Sequence, residues 1–263
     1  MDIPYSRWYE MIWRRRSRRL FDPMPIAPET LEKLNAICKE FMPFTGVRAF
    51  FVNQSAETVF KGAIGHYGKI KGASAFIAFI GNMEYSNVEE KVGYLGEGII
   101  LEATALNIGT CWVGALFRPE IAASLIAMKE NEKVFAVTPI GYVPERWSLE
   151  EKIMTGFGLT HKHKSLDAMV KGLENTKWHL WIKTCIEAAR VAPSAVNRQP
   201  WRFTVEYDSI TISVDNLKDT FNIPKRLDCG IAMLHIEVAA LYCGMKGVWE
   251  FLKPPDVARF RVD

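Results

Sequence analysis

Two long apolar stretches constrain this chain most. One is Leu95-Gly96-Glu97-Gly98-Ile99-Ile100-Leu101-Glu102-Ala103-Thr104-Ala105-Leu106-Asn107-Ile108-Gly109, and the other is Gly230-Ile231-Ala232-Met233-Leu234-His235-Ile236-Glu237-Val238-Ala239-Ala240-Leu241-Tyr242-Cys243-Gly244. Each is apolar around most of a helical circumference, the pattern of a buried helix rather than a surface one. They align with Glu102 on Glu237 and Gly109 on Gly244, the glycine fitting a helix C-terminal cap. A second pair recurs in the same order. The helix from Leu31 to Pro43 is similar to that from Trp181 to Pro193, and each precedes a strand candidate, Val47 to Val52 and Phe203 to Val205. Two matches in one order predict internal duplication.

The remaining elements follow from periodicity and breakers. Tyr5 to Trp13 has helical spacing, Pro23, Pro25 and Pro28 mark an extended connector, and Thr30 is positioned to cap the helix that follows. Ala73 to Ile80 is a continuous apolar run, as in a strand covered on both faces, and Val134 to Gly141 is a further strand. Ser148 to Leu180 is polar and connects the halves, which places the boundary at residues 1–165 and 166–263. No G-x-G-x-x-G follows a strand with an acidic residue ~20 positions on, and the glycines at 93, 96 and 98 open a core helix, so they read as helix packing.

Cysteine and charge exclude several classes. The five cysteines, at 38, 111, 185, 229 and 243, are odd in number, form no CxxC pair and sit in apolar contexts, which predicts buried free thiols and a reducing, cytoplasmic setting. No apolar run approaches the ~20 residues of a membrane helix. The net charge is only +3, yet Arg14, Arg15, Arg16, Arg18 and Arg19 are clustered. That cluster admits three readings: a solvated helix end, a nucleic-acid patch, which a near-neutral chain supports poorly, or a compact phosphate clamp completed by Ser17 and by Lys162 and Lys164. A second polar interruption, Pro193-Ser194-Ala195-Val196-Asn197-Arg198-Gln199-Pro200-Trp201, admits two: an ordinary turn before a core tryptophan, or a polar turn whose side chains meet a heteroaromatic ligand.

Taken together, these segments resemble the FMN-dependent nitroreductase superfamily. Arg15-Arg16-Ser17-Arg18-Arg19-Leu20-Phe21-Asp22 is similar to its opening motif, Pro193 to Trp201 to its cross-subunit turn, Thr110-Cys111-Trp112-Val113-Gly114 to its loop beside the flavin, Pro139-Ile140-Gly141-Tyr142 to its closing strand, and Lys162-His163-Lys164 to its late basic pair. The resemblance implies an α+β nitroreductase-like fold with an antiparallel-rich sheet. It also implies an FMN site formed by Arg15, Arg16, Ser17, Arg19, Cys111, Trp112, Val113, Gly114, Lys162, Lys164, Pro193, Ser194, Ala195, Asn197 and Gln199. Backbone amides near Val113 and Gly114 are the implied partners of flavin N5, no catalytic side chain is assigned, and His66 and Tyr67 are candidate pocket residues. The implied activity is ping-pong hydride transfer from NADPH or NADH through FMN to a small electron-poor acceptor; a flavin-sequestering protein with little turnover is the alternative. One departure matters. Where the family places its turn, this chain has Met42-Pro43-Phe44-Thr45-Gly46, and the intact turn comes only in the second half. That split implies a monomeric pseudo-dimer with one FMN site, no nucleic-acid partner and no membrane association.

Overall fold

The computed structural model describes residues 1–54, 56–60, 70–144, 163–220 and 222–263. Within them the helices are α1 (Tyr5–Arg14), α2 (Pro28–Glu40), α3 (Glu57–Phe60), α4 (Val88–Ala105), α5 (Pro119–Ser124), α6 (Leu180–Arg190) and α7 (Lys225–Tyr242). The strands are β1 (Val47–Val52), β2 (Ala75–Asn82), β3 (Gly109–Thr110), β4 (Glu132–Gly141), β5 (Val170–Gly172), β6 (Trp201–Val205), β7 (Ser209–Val214), β8 (Gly247–Phe251) and β9 (Asp256–Val262).

The strands form two sheets, ordered β1-β2-β4-β3 and β5-β6-β7-β9-β8. Except for β5, which joins β6 in parallel, every pairing is antiparallel. The second sheet without β5 therefore repeats the strand order of the first. The helices repeat as well: α2-β1-β2-α4-β3-β4 is followed by α6-β6-β7-α7-β8-β9.

Helices α4 and α7 give that repeat its register. Val88 maps to Lys225 and Ala105 to Tyr242, 137 residues on. The bonds that end the helices keep the same spacing: Leu106 N–H to Glu102 O and Ile108 N–H to Ala103 O are matched by Cys243 N–H to Ala239 O and Met245 N–H to Ala240 O. The predicted alignment of Glu102 with Glu237 is thus two residues out of register, because Ala239 stands opposite Glu102. The cap shifts accordingly. Asn107, at φ 58°, fills the left-handed position that Gly244 fills at φ 76°, while Gly109 already belongs to β3. Asparagine tolerates that conformation better than most side chains. Thr30 likewise lies inside α2, which starts two residues earlier with Pro28 in its first turn, where the missing N–H costs nothing.

The two central helices cross in near backbone contact. A Cβ at Gly93 would stand 2.0 Å from Leu227 O, and one at Gly230 would stand 1.9 Å from Glu90 O. Arg226 and Glu90 bridge the crossing with paired bonds of 2.6 and 3.0 Å. Around this crossing, Ile99, Leu101, Ile186, Leu234, Phe203 and Phe260 belong to one core that spans both halves. The outer face of the first sheet is covered too, where Phe76, Ala78 and Ile80 pack with Val59, Phe117 and Ala122 around α3 and α5. That double cover explains the unbroken apolar run of β2. Strand β7 alternates Ser209, Thr211 and Ser213 with Ile210, Ile212 and Val214, the pattern of a strand with one apolar face.

The five cysteines are free thiols, with Cys38, Cys111, Cys185 and Cys229 buried. Among the described residues, no helix is long and apolar enough to cross a membrane.

Candidate functional site

The arginine cluster leaves α1 as an extended ribbon. Arg15 closes the helix through its N–H on Met11 O at 2.8 Å, with an extended ψ of 134°. Ser17 then bridges Thr110 in parallel, Arg18 N–H reaches Thr110 O at 2.8 Å, and Phe21 N–H reaches Lys71 O at 2.9 Å. The ribbon therefore runs along the start of the loop that follows α4. An extended chain alternates its side chains, which puts Arg15, Ser17 and Arg19 on one side and Arg16 and Arg18 on the other. Arg16 is exposed and Arg18 buried, and both are held by backbone carbonyls. Arg16 Nη1 folds back onto Trp13 O and Arg15 O, both at 2.8 Å, and Arg18 Nη2 donates to Pro144 O at 3.1 Å. Arg16 is thus a predicted clamp arginine spent on the end of its own helix.

Beneath the ribbon lies Glu97, with none of its side chain exposed. Its Oε1 is 3.7 Å from Arg15 Nε and 3.0 Å from His235 Nε2, and its Oε2 accepts the Trp112 indole N–H at 2.7 Å. Sequence reasoning missed Glu97 and His235 as site residues. Their signal is an ionisable side chain flanked by apolar residues within each central helix. Arg15 Nε is buried and has no hydrogen-bond partner. Burial pushes this guanidinium below its ordinary pKa, an effect that Glu97 opposes.

The loop after α4 is held against β4. Cys111 N–H donates to Thr138 Oγ1 at 3.1 Å, and Val113 exchanges two backbone bonds of 2.9 Å with Val137. The Val113 amide is therefore committed, and of the two backbone donors expected here Gly114 is the one left without such a bond among the described residues. A Cβ at Gly114 would lie 3.3 Å from the side chain of Ile223.

Ile223 joins this loop to the turn of the second half, since its carbonyl accepts Arg198 Nη2 at 2.9 Å. The turn bends through φ values of 49° at Val196, 55° at Asn197 and 47° at Gln199, a left-handed conformation that is a strong outlier for a β-branched valine. Strain of this kind persists only where surrounding contacts over-determine it, and here they do. Asp228 accepts from Ala195 N–H at 3.1 Å and from Arg198 Nε at 2.7 Å. Gln199 N–H donates to Ser194 Oγ at 3.0 Å, and Gln199 Nε2 to Asn197 Oδ1 at 3.1 Å. Lys164 donates from its backbone to Gln199 Oε1 at 2.8 Å, and from Nζ to the carbonyls of Arg198 and Gln199, both at 2.9 Å. The turn's polar groups are thus largely satisfied within the protein, and Lys164 serves the turn. Pro193 leads into it from α6. Asp228, a third residue sequence reasoning missed, has its carboxyl pushed up to about 6 by burial, against the pull of Arg198.

The predicted residues therefore fall into three groups that converge: the ribbon with Arg15, Ser17 and Arg19; the loop with Cys111, Trp112, Val113 and Gly114; and the turn with Pro193, Ser194, Ala195, Asn197 and Gln199, braced by Lys164. Lys162, His66 and Tyr67 lie outside the described residues. The donor set fits a phosphorylated ligand. Arginines and a hydroxyl stand along one extended edge, and one of those arginines has an orphaned buried Nε. An apolar hollow of about 500 Å3 lined by Tyr9, Leu180, Trp181, Tyr242, Cys243 and Met245 contains none of these residues.

A family profile described as "Putative TM nitroreductase" matches residues 7–240. The chain belongs to that family. It is accordingly an oxidoreductase enzyme with a nitroreductase-like α+β fold. A crystal structure from Thermotoga maritima, described as a "putative nitroreductase", is similar over 100% of this chain and 96% of its own, at 17% identity and a TM-score of 0.64. A nitroreductase with bound FMN from Bacteroides fragilis aligns over 66% of this chain and 97% of its own, at 18% identity and a TM-score of 0.42. An FMN-dependent nitroreductase from Clostridium difficile aligns over 52% of this chain and 88% of its own, at 19% identity and a TM-score of 0.44. Among curated proteins there is no match.

Proposed function

We propose that this chain is an FMN-dependent NAD(P)H oxidoreductase of nitroreductase type. It would reduce small electron-poor acceptors such as nitroaromatics or quinones, act as a cytoplasmic monomer and carry one FMN per chain. The observation that carries the reading is convergence: the arginine ribbon, the Gly114 loop and the 193–199 turn, each similar to one part of the superfamily's flavin site, come together through Glu97, Ile223 and Asp228.

In this reading Arg15, Ser17 and Arg19 hold the phosphate and ribityl chain, Gly114 offers its N–H to the ring system, and the braced turn packs against the ring from the second half. A bound FMN supplies the hydride chemistry, taking two electrons from NADH or NADPH and giving them to the acceptor. The protein's part is to orient, to shield and to supply positive charge. The halves at 1–165 and 166–263 then act as two fused protomers of a duplicated ancestor, which the repeated strand order supports.

An absorption spectrum of the purified protein, recorded anaerobically before and after NADH or NADPH, tests this. A flavin band that bleaches is the expected result. A band that persists with both nucleotides would favour a flavin-binding protein with little turnover. No band after added FMN would overturn the site assignment.

A further inference from the structure

The contact between Glu97 and His235 contains a proton that the geometry locates. His235 Nδ1 lies 2.8 Å from Ala188 O on α6. A carbonyl only accepts, so Nδ1 carries a hydrogen. If the ring were neutral, Nε2 would then present a lone pair to Glu97 Oε1 at 3.0 Å, and two acceptors do not bond at that distance. One further proton therefore sits between Nε2 and Oε1. The other neighbours of Glu97 are Trp112 Nε1 at 2.7 Å and Arg15 Nε at 3.7 Å, and both only donate. They stabilise the carboxylate, which assigns the shared proton to the imidazole. Imidazolium and carboxylate then cancel, and Arg15 is left as the uncompensated cation. The remaining ionisable groups around this cluster are Arg16 and the Cys111 thiol near Arg15, and the Cys185 thiol on α6, which is bonded to Ile236 O.

We propose that Glu97 is the positioning residue of the anion site. Locked by a protonated His235 of the other half, its carboxylate aims the Arg15 guanidinium and fixes the Trp112 loop. Neither residue needs to touch the ligand. The proposal rests on the flavin reading for the identity of the anion, a flavin phosphate. It makes the phosphate donor of the first half depend on a histidine of the second.

The test is Glu97→Gln with FMN and riboflavin as probes, since these differ only by the phosphate. The amide keeps the shape, its N–H2 can donate to a neutral His235, and its oxygen can accept from Trp112, so the contacts stay while the carboxylate and the imidazolium charge are lost together. The preference for FMN over riboflavin is expected to fall by about tenfold, the scale of one well-placed charge-assisted bond, with riboflavin affinity little changed. Because the two charges lost cancel each other, the net charge beside Arg15 stays the same and a change in preference reads the aiming of the guanidinium; an unchanged or increased preference overturns the proposal. A second measurement does not depend on flavin or on the variant: a 15N-resolved NMR spectrum of the full-length protein at neutral pH. Both ring nitrogens of His235 are expected to be protonated in wild type, and Nε2 to lose its proton in Glu97→Gln. A neutral ring in wild type overturns the proposal even if the variant fails to fold. Should wild type bind neither flavin, the flavin reading falls, while the NMR result still decides the Glu97–His235 pair.

Discussion

The two halves share strand order and central-helix register, and they differ where a ligand would need room. Trp112 has its counterpart 137 residues on at Trp249, and each indole donates to a carboxylate of its own half's central helix, buried Glu97 or half-buried Glu237, at 2.7 Å. The pairing register agrees: Thr110 opposite Ile140 and Val113 opposite Val137 recur as Gly247 opposite Val262 and Glu250 opposite Arg259. Two residues beyond the tryptophan the likeness ends, because Gly114 corresponds to Phe251. The Phe251 ring lies 5.4 Å from Phe44, and Phe44 lies 5.0 Å from Tyr94. Phe44 follows Pro43, in the position where Ser194 follows Pro193 in the other half. Of the two pseudo-equivalent places, one thus joins the first half's Gly114 to the second half's strained polar turn, and the other, where Phe44 of the first half meets Phe251 of the second, is closed with edge-to-face aromatics. Such pairs add about 0.5–1.5 kcal/mol beyond burial. A repeated fold can thus fill one of two equivalent places with core.

That comparison can be broken most severely at the element both halves share. Gly230→Val places side-chain atoms against Glu90 O, and urea unfolding should show a loss of about 3 kcal/mol or more, because the obstacle is backbone rather than a flexible side chain. Moving the aromatic across the pseudo-symmetry should disable the intact site. Gly114→Phe is expected to abolish FMN binding in a fluorescence titration while far-UV circular dichroism is kept. Arg15→Ala should weaken FMN retention by about 1.5–3 kcal/mol in the same titration. The reverse exchange, Phe251→Gly, should cost about 2 kcal/mol of stability by thermal unfolding. It should leave the flavin count at one per chain, since the second half has no arginine ribbon; a count of two would break the asymmetry argued above.

A subtler difference concerns pH. Burial raises the Asp228 carboxyl from 3.8 to about 6, so the folded state holds this proton more tightly than the unfolded chain does. Its contribution to stability therefore falls as pH rises from 3.8 through about 6 and is level above that range. Comparing urea midpoints of wild type and Asp228→Asn across that range should show a steeper decline in wild type. The smallest effect is expected at the helix ends. Gly244→Asn copies Asn107 into the equivalent left-handed position and should cost less than about 1 kcal/mol.

Much of the fold was legible because hydrophobic pattern and cover correspond. The range predicted for β1 is the range observed, and β2 and β4 lie within two residues of their apolar runs. Strands β3, β5, β7, β8 and β9 were not read from the sequence: β3, β5 and β8 are short or on a sheet edge, and β7 and β9, though interior, interleave polar with apolar residues instead of forming a continuous apolar run. The site was readable to the extent that its residues are grouped along the chain, as the ribbon, the loop and the turn each are. Glu97, His235 and Asp228 were not, because a single ionisable residue in an apolar helix shows that it needs a partner without showing which partner.

The sequence by itself determined the α+β plan with its repeated order of elements, the two buried central helices, the free thiols and the three segments proposed for the site. All of these depend on local composition and period. The tertiary structure decided the repeat register of 137 over 135, the commitment of Arg16 to a helix end and of the Val113 amide to β4, and the joining of the halves through Glu97 and His235. Hydrogen-bond partners distant in the chain are chosen by three-dimensional proximity and by the cost of leaving a buried polar group unmet. Neither is written in the spacing of residues along one helix.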